Sequence, residues 1–296
     1  MQAVIGKDVK ILKGEIISGD FLKAYTTASN VARKGGYIAS LPQLVEGRLV
    51  ADFADPIWQE PFIANSEEAV GVTKAGNEVL VVVHGGGIMT PKRYAQAFAE
   101  GLTPASGARL YPDEFYNLLS GRTYSGEIFL CEGLKGLELK PAGVEHYAVV
   151  LDFALAKQSR HEQMRPAEFA ENPVAVARAG SQERALAYAQ KTNAEQGVGN
   201  YHAFNQTEPR LQPELAGLLH LGPRKPPHNS FAAFGSSSGL YPGRPISNFV
   251  VVQSEKISQR NSHVPSIDTV VRTLCAEHPA LNPEALRETL EPLYDP

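Results

Sequence analysis

The stretch VVVHGGGIMTPKRYAQAF, residues 81–98, decides how the fold is interpreted, because it leads from a strand to a helix through three glycines. Five apolar residues precede His84, and Thr90-Pro91 then supplies a hydroxyl cap and a proline at the first helical turn. The apolar stripe that follows predicts an amphipathic helix. A strand followed by a helix in this way is typical of a sheet covered by helices.

Gly85, Gly86 and Gly87 join this strand to this helix. Glycine loses more backbone entropy on folding than any other residue, so three in a row need a physical reason. A steric reason is that the turn requires positive φ. A functional reason is that bare N–H groups beside a helix N-terminus form a concave surface that suits an anion. Both interpretations stay open here, and in the second one Thr90 and Lys92 would help the glycines to bind the ligand.

The spacing around the glycines matches neither of the common phosphate loops, GxxxxGK[ST] and GxGxxG. It does contain the string HGGG, which forms the oxyanion hole of one class of α/β-hydrolase esterases. Residues 235–239, GSSSG, supply the letters of the nucleophile elbow that such an enzyme needs. An elbow runs directly into a helix, however, and Pro242-Gly243 would break one. We therefore expect this serine-glycine run to be a flexible turn.

Short β-branched segments predict strands at EVLVVV (78–83), EIFLC (127–131), HYAVVLDF (146–153), PVAVARA (173–179) and NFVVVQ (248–253). Helices are predicted to begin at Thr90, Ser181, Ser266 and Asn282, and to cover 20–33 and 112–119. Because strands and helices alternate, the sequence predicts an α/β fold, with mixed α+β as the alternative. Its expected form is a mixed sheet flanked by helices.

A long segment, residues 197–245, interrupts this alternation with glycine, proline, asparagine and serine. Its one helical signal is PELAGLLHL, and its aromatic residues favour an ordered loop over a disordered linker. We expect a single domain over 1–296, in which 197–245 is a long ordered loop region. Residues 246–296 would then form a C-terminal strand and two helices.

The composition limits the classes of function. With 43% hydrophobic and 20% charged residues the chain is typical globular material, and its formal charge of −4 disfavours a nucleic-acid partner. Apolar runs reach about five residues, whereas a membrane span needs roughly 20, and no secretory signal is recognised. Cys131 and Cys275 resemble buried thiols of a reducing compartment. These features predict a cytoplasmic protein without a membrane partner, and a homo-oligomer is left open.

Three residues are candidates for catalysis. His84 and Asp152 each lie at the end of a predicted strand, where functional groups gather in α/β sheets. His202 lies in GNYHAFNQ, residues 199–206, where Asn200 and Asn205 could bind a polar ligand. The histidines lack the close spacing of a zinc site, so we expect no metal, and the sequence leaves the question of a cofactor open.

Two hypotheses of function follow. The first is an enzyme, with hydrolysis as the guessed reaction, that acts on a small anionic or carbonyl-bearing metabolite. Its glycine loop would stabilise developing negative charge. The second is a non-catalytic subunit that binds a ligand or builds an assembly, with 197–245 as the partner surface. The two hypotheses differ in whether His84, Asp152 and the run around His202 meet in one pocket.

Overall fold

The computed structural model describes residues 4–9, 14–101, 108–124, 126–132, 144–158, 163–192, 198–201, 214–222, 234–236 and 247–253. These residues belong to one compact unit, Met1–Gln253, and a second unit, Ser254–Pro296, lies outside the described part. The helices expected from Ser266 and Asn282 therefore lie outside the described residues. The expectation of a single domain over 1–296 stays a prediction.

The described strands are β1 Val4–Val9, β2 Gly14–Gly19, β3 Gly36–Ile38, β4 Phe62–Val72, β5 Glu78–His84, β6 Ala108–Arg109, β7 Arg122–Thr123, β8 Gly126–Glu127, β9 Phe129–Glu132, β10 Tyr147–Asp152, β11 Gln163–Met164, β12 Val198–Tyr201, β13 Leu215–Leu221, β14 Phe234–Ser236 and β15 Ser247–Gln253. The described helices are α1 Phe21–Ala32, α2 Leu41–Val50, α3 Pro56–Gln59, α4 Pro91–Ala99, α5 Pro112–Leu118, α6 Phe153–Gln158, α7 Pro166–Glu171, α8 Pro173–Ala179 and α9 Gln182–Thr192.

The large sheet has the strand order β11-β12-β14-β13-β4-β5-β10-β9, and β6 adds to β13. It is mixed: β10 pairs with β9 and β12 with β14 in parallel, while β4, β5, β10 and β13 form antiparallel pairs. A second sheet has the order β1-β2-β15-β3, and a short hairpin joins β7 to β8.

Helices cover both faces of the large sheet. Side chains alternate along β5, so Val79, Val81 and Val83 enter one core with residues of α1, α4 and α5. Leu80 and Val82 enter the other core with residues of α2, α8 and α9. The prediction of an α/β fold with a mixed sheet flanked by helices is confirmed.

Several predicted elements are present with nearly the expected bounds. The segment from Glu78 forms β5, the Thr90-Pro91 signal starts α4, and the Ser181 signal starts α9. Residues 20–33 and 112–119 contain α1 and α5 as expected.

Two element predictions are wrong. PVAVARA forms α8 because the side chain of Asn172 caps its N-terminus and Gly180, with φ of 84°, ends it in the left-handed conformation. The helical signal in PELAGLLHL forms β13, because this segment pairs with β4 in the middle of the large sheet. The strands β12, β13 and β14 therefore lie inside 197–245, where the sequence predicts a loop, and the rest of that range is outside the described residues.

Candidate functional site

The backbone of the glycine loop is left-handed at two positions. Gly85 has φ of 86° and Gly86 has φ of 107°, values that residues with a side chain rarely adopt. The N–H of Gly85 donates a 3.0 Å hydrogen bond to the main-chain oxygen of Asn65, on β4. The steric reason for glycine is therefore present at Gly85 and Gly86.

The amides after the glycines bind an anion that belongs to the protein itself. The carboxylate of Glu67, on β4, accepts hydrogen bonds from the N–H of Ile88 at 2.7 Å and from the N–H of Met89 at 2.9 Å. A side chain at Gly87 would overlap the Glu67 carboxyl group. Gly87 is thus a glycine because an internal carboxylate occupies the space beside it.

Glu67 is buried, with only 1% of its surface exposed. Burial raises the pKa of its carboxyl group to about 7, and the charge of Glu114 adds to the rise. The N–H groups of Ile88 and Met89 lower the pKa, but they do not offset the loss of water. Glu67 therefore changes protonation near neutral pH.

His84 is fully buried and is hydrogen-bonded on both sides of its ring. Its Nε2 lies 2.8 Å from the main-chain oxygen of Ala177, which can only accept, so the proton is on Nε2. Its Nδ1 accepts from the hydroxyl of Ser66 at 2.7 Å, and the same hydroxyl oxygen accepts from the N–H of Leu41 at 2.9 Å. The ring thus connects β5 with β4 and α8.

Asp152 is exposed, although the sequence placed it in a buried strand. Its carboxylate accepts a 2.8 Å hydrogen bond from the N–H of Ala154 in the first turn of α6. In the antiparallel pair of β5 and β10, His84 faces Tyr147 whereas Asp152 faces Val79. His84 and Asp152 thus lie at opposite ends of the pair, roughly 17 Å apart along the strand.

The other predicted site residues are placed as follows. Thr90 caps α4, because its hydroxyl oxygen accepts a 3.2 Å hydrogen bond from the N–H of Arg93, and Lys92 is exposed. Asn200 lies in β12, and its side chain is outside the described part of the structure. His202 and Asn205 also lie outside the described residues.

An open groove of about 650 Å³ lies beside the glycine loop. We call it the acidic groove, and it is lined by Tyr37, Gln43, Glu46, Gly85, Glu145 and His146, with Val50 and Asn65. Gln43 donates a 3.3 Å hydrogen bond to Glu145, and Arg184 donates a 3.1 Å hydrogen bond to Glu46. Burial raises the pKa of the Tyr37 hydroxyl, and the charges of Glu145 and Glu46 raise it further.

A second open groove, of about 710 Å³, lies between α1 and α4. We call it the basic groove, and it is lined by Ser29, Asn30, Arg33, Lys92, Arg93 and Tyr124, with other residues of both helices. The sequence does not predict either groove. Of the residues that line them, only Gly85, Thr90 and Lys92 are among the predicted site residues. Tyr37 and Glu145 are far apart in the chain, and no local pattern indicates that folding brings them together.

Two buried ion pairs were also missed. Arg178, on α8, donates to both carboxylate oxygens of Glu68 at 2.6 and 2.9 Å, and both side chains are fully buried. Arg93 donates to both oxygens of Glu114 at 2.7 and 3.0 Å. Among the described residues there is no group of side chains that could hold a metal ion, and no helix is long and apolar enough to cross a bilayer.

Comparisons with known proteins show a likeness in structure but none in sequence family. No protein-family model and no curated protein matches this sequence. The chain is similar to a solved structure described as "Accommodation of massive sequence variation in Nanoarchaeota by the C-type lectin fold", with 20% sequence identity and a TM-score of 0.56. The likeness covers 80% of this chain and 96% of that chain. At this identity it shows a shared fold and nothing further.

The hypothesis of a hydrolytic enzyme is wrong. The structure that this chain resembles has a C-type lectin fold, and this likeness fits the alternative hypothesis better than a hydrolase. The geometry agrees with this correction: His84 is sealed in the core, Asp152 lies at the far end of the strand pair, and Glu67 occupies the amides of Ile88 and Met89. The proposed partner surface in 197–245 lies mostly outside the described residues and stays a prediction.

Proposed function

We propose that this protein is a non-catalytic ligand-binding protein and that its acidic groove binds a small organic cation. The observation that carries the proposal is the position of the Tyr37 ring, which is 40% exposed, beside the carboxylates of Glu46 and Glu145. An aromatic face next to negative charge attracts an ammonium or guanidinium group, because the ring quadrupole and the carboxylates act in the same direction.

The lining of the groove supports a cation rather than an anion. It contains two carboxylates, and among its described lining residues there is neither lysine nor arginine. Arg184 approaches Glu46 but is not part of that lining. Val50, which is 68% exposed, provides an apolar surface for the carbon atoms of the ligand. A volume of about 650 Å³ is in the range of small-molecule sites.

The packing below the groove supports a fixed shape. Gly85 forms part of its surface, and the amides that follow in the loop are held by Glu67. A preformed site loses less conformational entropy when it binds than a mobile one does. The likeness to a C-type lectin fold supports a binding role in general, without indicating the ligand.

The experiment compares two probes of nearly equal shape, choline and its neutral analogue 3,3-dimethylbutan-1-ol. We expect choline to raise the melting temperature and the neutral alcohol to leave it unchanged, because only the cation interacts with the ring and the carboxylates. Calorimetric titration should give a millimolar or tighter Kd that Tyr37→Leu and Glu145→Gln each weaken about fivefold. Equal effects of the two probes would contradict the proposal.

A matched control separates the groove from general surface charge. Glu127, on β8, is exposed and lies outside the acidic groove, so Glu127→Gln should leave choline binding unchanged. If Glu127→Gln weakens binding as much as Glu145→Gln does, the cation is attracted by the net charge of −4 and not by this groove. The cytoplasmic location, the absence of a nucleic-acid partner and the oligomeric state stay predictions from composition.

A further inference from the structure

The basic groove differs from the acidic groove in the charge of its lining. Three cationic side chains line it, those of Arg33, Lys92 and Arg93, and none of its described lining residues is an aspartate or glutamate. This is unexpected in a chain whose formal charge is −4. The N-terminus of α4, which begins at Pro91, faces the same region through Thr90 and adds the positive end of a helix dipole.

The side chain of Arg93 provides an independent observation. Only 2% of it is exposed, its Nε and Nη2 donate to Glu114, and Nη2 also donates to the main-chain oxygen of Arg109 at 2.6 Å. Its Nη1 is buried and has no acceptor among the residues that the structure describes. Buried donors are almost always paired, so Nη1 indicates an acceptor that the described part of the fold does not supply.

We propose that the basic groove binds a phosphate-bearing small molecule, with a phosphate oxygen as the missing acceptor for Arg93. Lys92 and Arg33, which are exposed, would hold the charge of the phosphate from the open side. The side chains of Ser29 and Asn30 bring polar hydrogen-bonding groups to the same wall. A groove of about 710 Å³ is larger than a single phosphate group, so an organic body fits as well.

A phosphate suits this lining better than a carboxylate does. It carries more negative charge and presents three oxygens in different directions, whereas a carboxylate presents two in one plane. The cations here come from different elements, Arg33 after the end of α1 and Lys92 from the first turn of α4. A tetrahedral phosphate, whose oxygens point in several directions, can accept from cations that approach it from different sides.

The experiment uses pyrophosphate as the probe and acetate as its carboxylate counterpart. We expect pyrophosphate to raise the melting temperature of the full chain and acetate at equal ionic strength to have no effect. Titration calorimetry should show that Lys92→Gln and Arg33→Gln each weaken pyrophosphate binding roughly tenfold, because each removes a charge-assisted contact. An equal response to pyrophosphate and acetate would overturn the assignment of a phosphate site.

The control is Lys74→Gln, which removes the same charge from the turn between β4 and β5. Lys74 is exposed, lies outside the basic groove and approaches the ring of Tyr116. We expect this variant to bind pyrophosphate like the unchanged protein. If Lys74→Gln and Lys92→Gln lower the affinity equally, the interaction is general charge attraction and the proposal is wrong.

Arg93→Lys tests the buried donor. A lysine keeps the charge opposite Glu114 but lacks the Nη1 donor and the bidentate contact, so we expect both the affinity for pyrophosphate and the melting temperature without ligand to fall. If this variant fails to fold, the comparison of Lys92→Gln with Lys74→Gln still decides between a phosphate site and general charge attraction. Tyr37→Leu should leave pyrophosphate binding intact, because Tyr37 lines only the acidic groove. The proposals for the two grooves are therefore tested independently.

Discussion

The Nε2 of His84 donates its proton to the main-chain oxygen of Ala177 across 2.8 Å, and this bond fastens the end of β5 to α8. Since the other ring nitrogen is engaged by Ser66, the imidazole serves as a crosslink within the core. The first prediction follows from this arrangement.

His84→Ala should lower the free energy of unfolding by about 3 to 5 kcal/mol, because it leaves a cavity and removes the partners of Ser66 and Ala177. Urea unfolding followed by circular dichroism measures the change. His146→Ala is the matched control: this histidine is exposed, so its removal should cost less than about 0.5 kcal/mol. Similar costs for the two variants would contradict the role of His84 as a crosslink.

Gly87→Ala should destabilise the protein strongly, because the added methyl group would overlap the carboxyl group of Glu67. We expect a loss of about 3 kcal/mol, typical of overpacking in a core. Gly76→Ala is the control, since Gly76 has φ of 85° but nothing within 4 Å of the added carbon. In that variant the only cost is the strain of a left-handed backbone at a residue with a side chain. Its free energy of unfolding should fall by about 1 kcal/mol. A smaller loss for Gly87→Ala than for Gly76→Ala would show that Glu67 moves aside freely.

Glu67 should make the stability depend on pH. Its pKa is about 7 in the folded protein and near 4.5 when unfolded, so the folded state binds the proton more tightly. The contribution of this group is most favourable below pH 4.5 and becomes unfavourable as the pH rises to about 7, by roughly 3 kcal/mol in all.

The comparison with Glu67→Gln isolates this effect. The difference in unfolding free energy between the unchanged protein and the variant should fall as the pH rises through that window, as measured by urea titrations at several pH values. A difference that does not change with pH would mean that the pKa of Glu67 is the same in the folded and the unfolded state.

The pair of Glu68 and Arg178 should show strong coupling. Arg178→Met leaves a carboxylate buried without its cation, at a cost of about 3 to 5 kcal/mol. The double variant Glu68→Met/Arg178→Met should recover most of this loss, because two apolar side chains can replace a buried ion pair. A double-mutant cycle measures the coupling. Additive losses would argue that the two side chains act independently.

The fold class could be predicted from the sequence because the signals are local. The run of five apolar residues in β5 and the Thr90-Pro91 cap of α4 act within a few residues, and both elements form as expected. For α8 the local signals disagree: Val174 and Val176 favour a strand, while Asn172 and Gly180 favour helix ends. The capping residues decide the structure there.

The candidate site could not be predicted in the same way, because its contacts are distant in the chain. Glu67 and Glu68 are adjacent in β4 and both are buried, so both carboxyl groups need partners. Alternation sends them to opposite faces of β4, where Glu67 binds amides 21 and 22 residues away and Glu68 binds an arginine 110 residues away. Only the assembled sheet determines which partner each carboxylate receives.

The strand β15 lies between β2 and β3, so the last described strand completes a sheet that begins at the start of the chain. During synthesis, β2 and β3 emerge long before their common neighbour, and the ribosome must translate beyond Gln253 before that sheet can close. Nascent chains stopped short of Ser247 would therefore expose open strand edges, the kind of surface that chaperones hold.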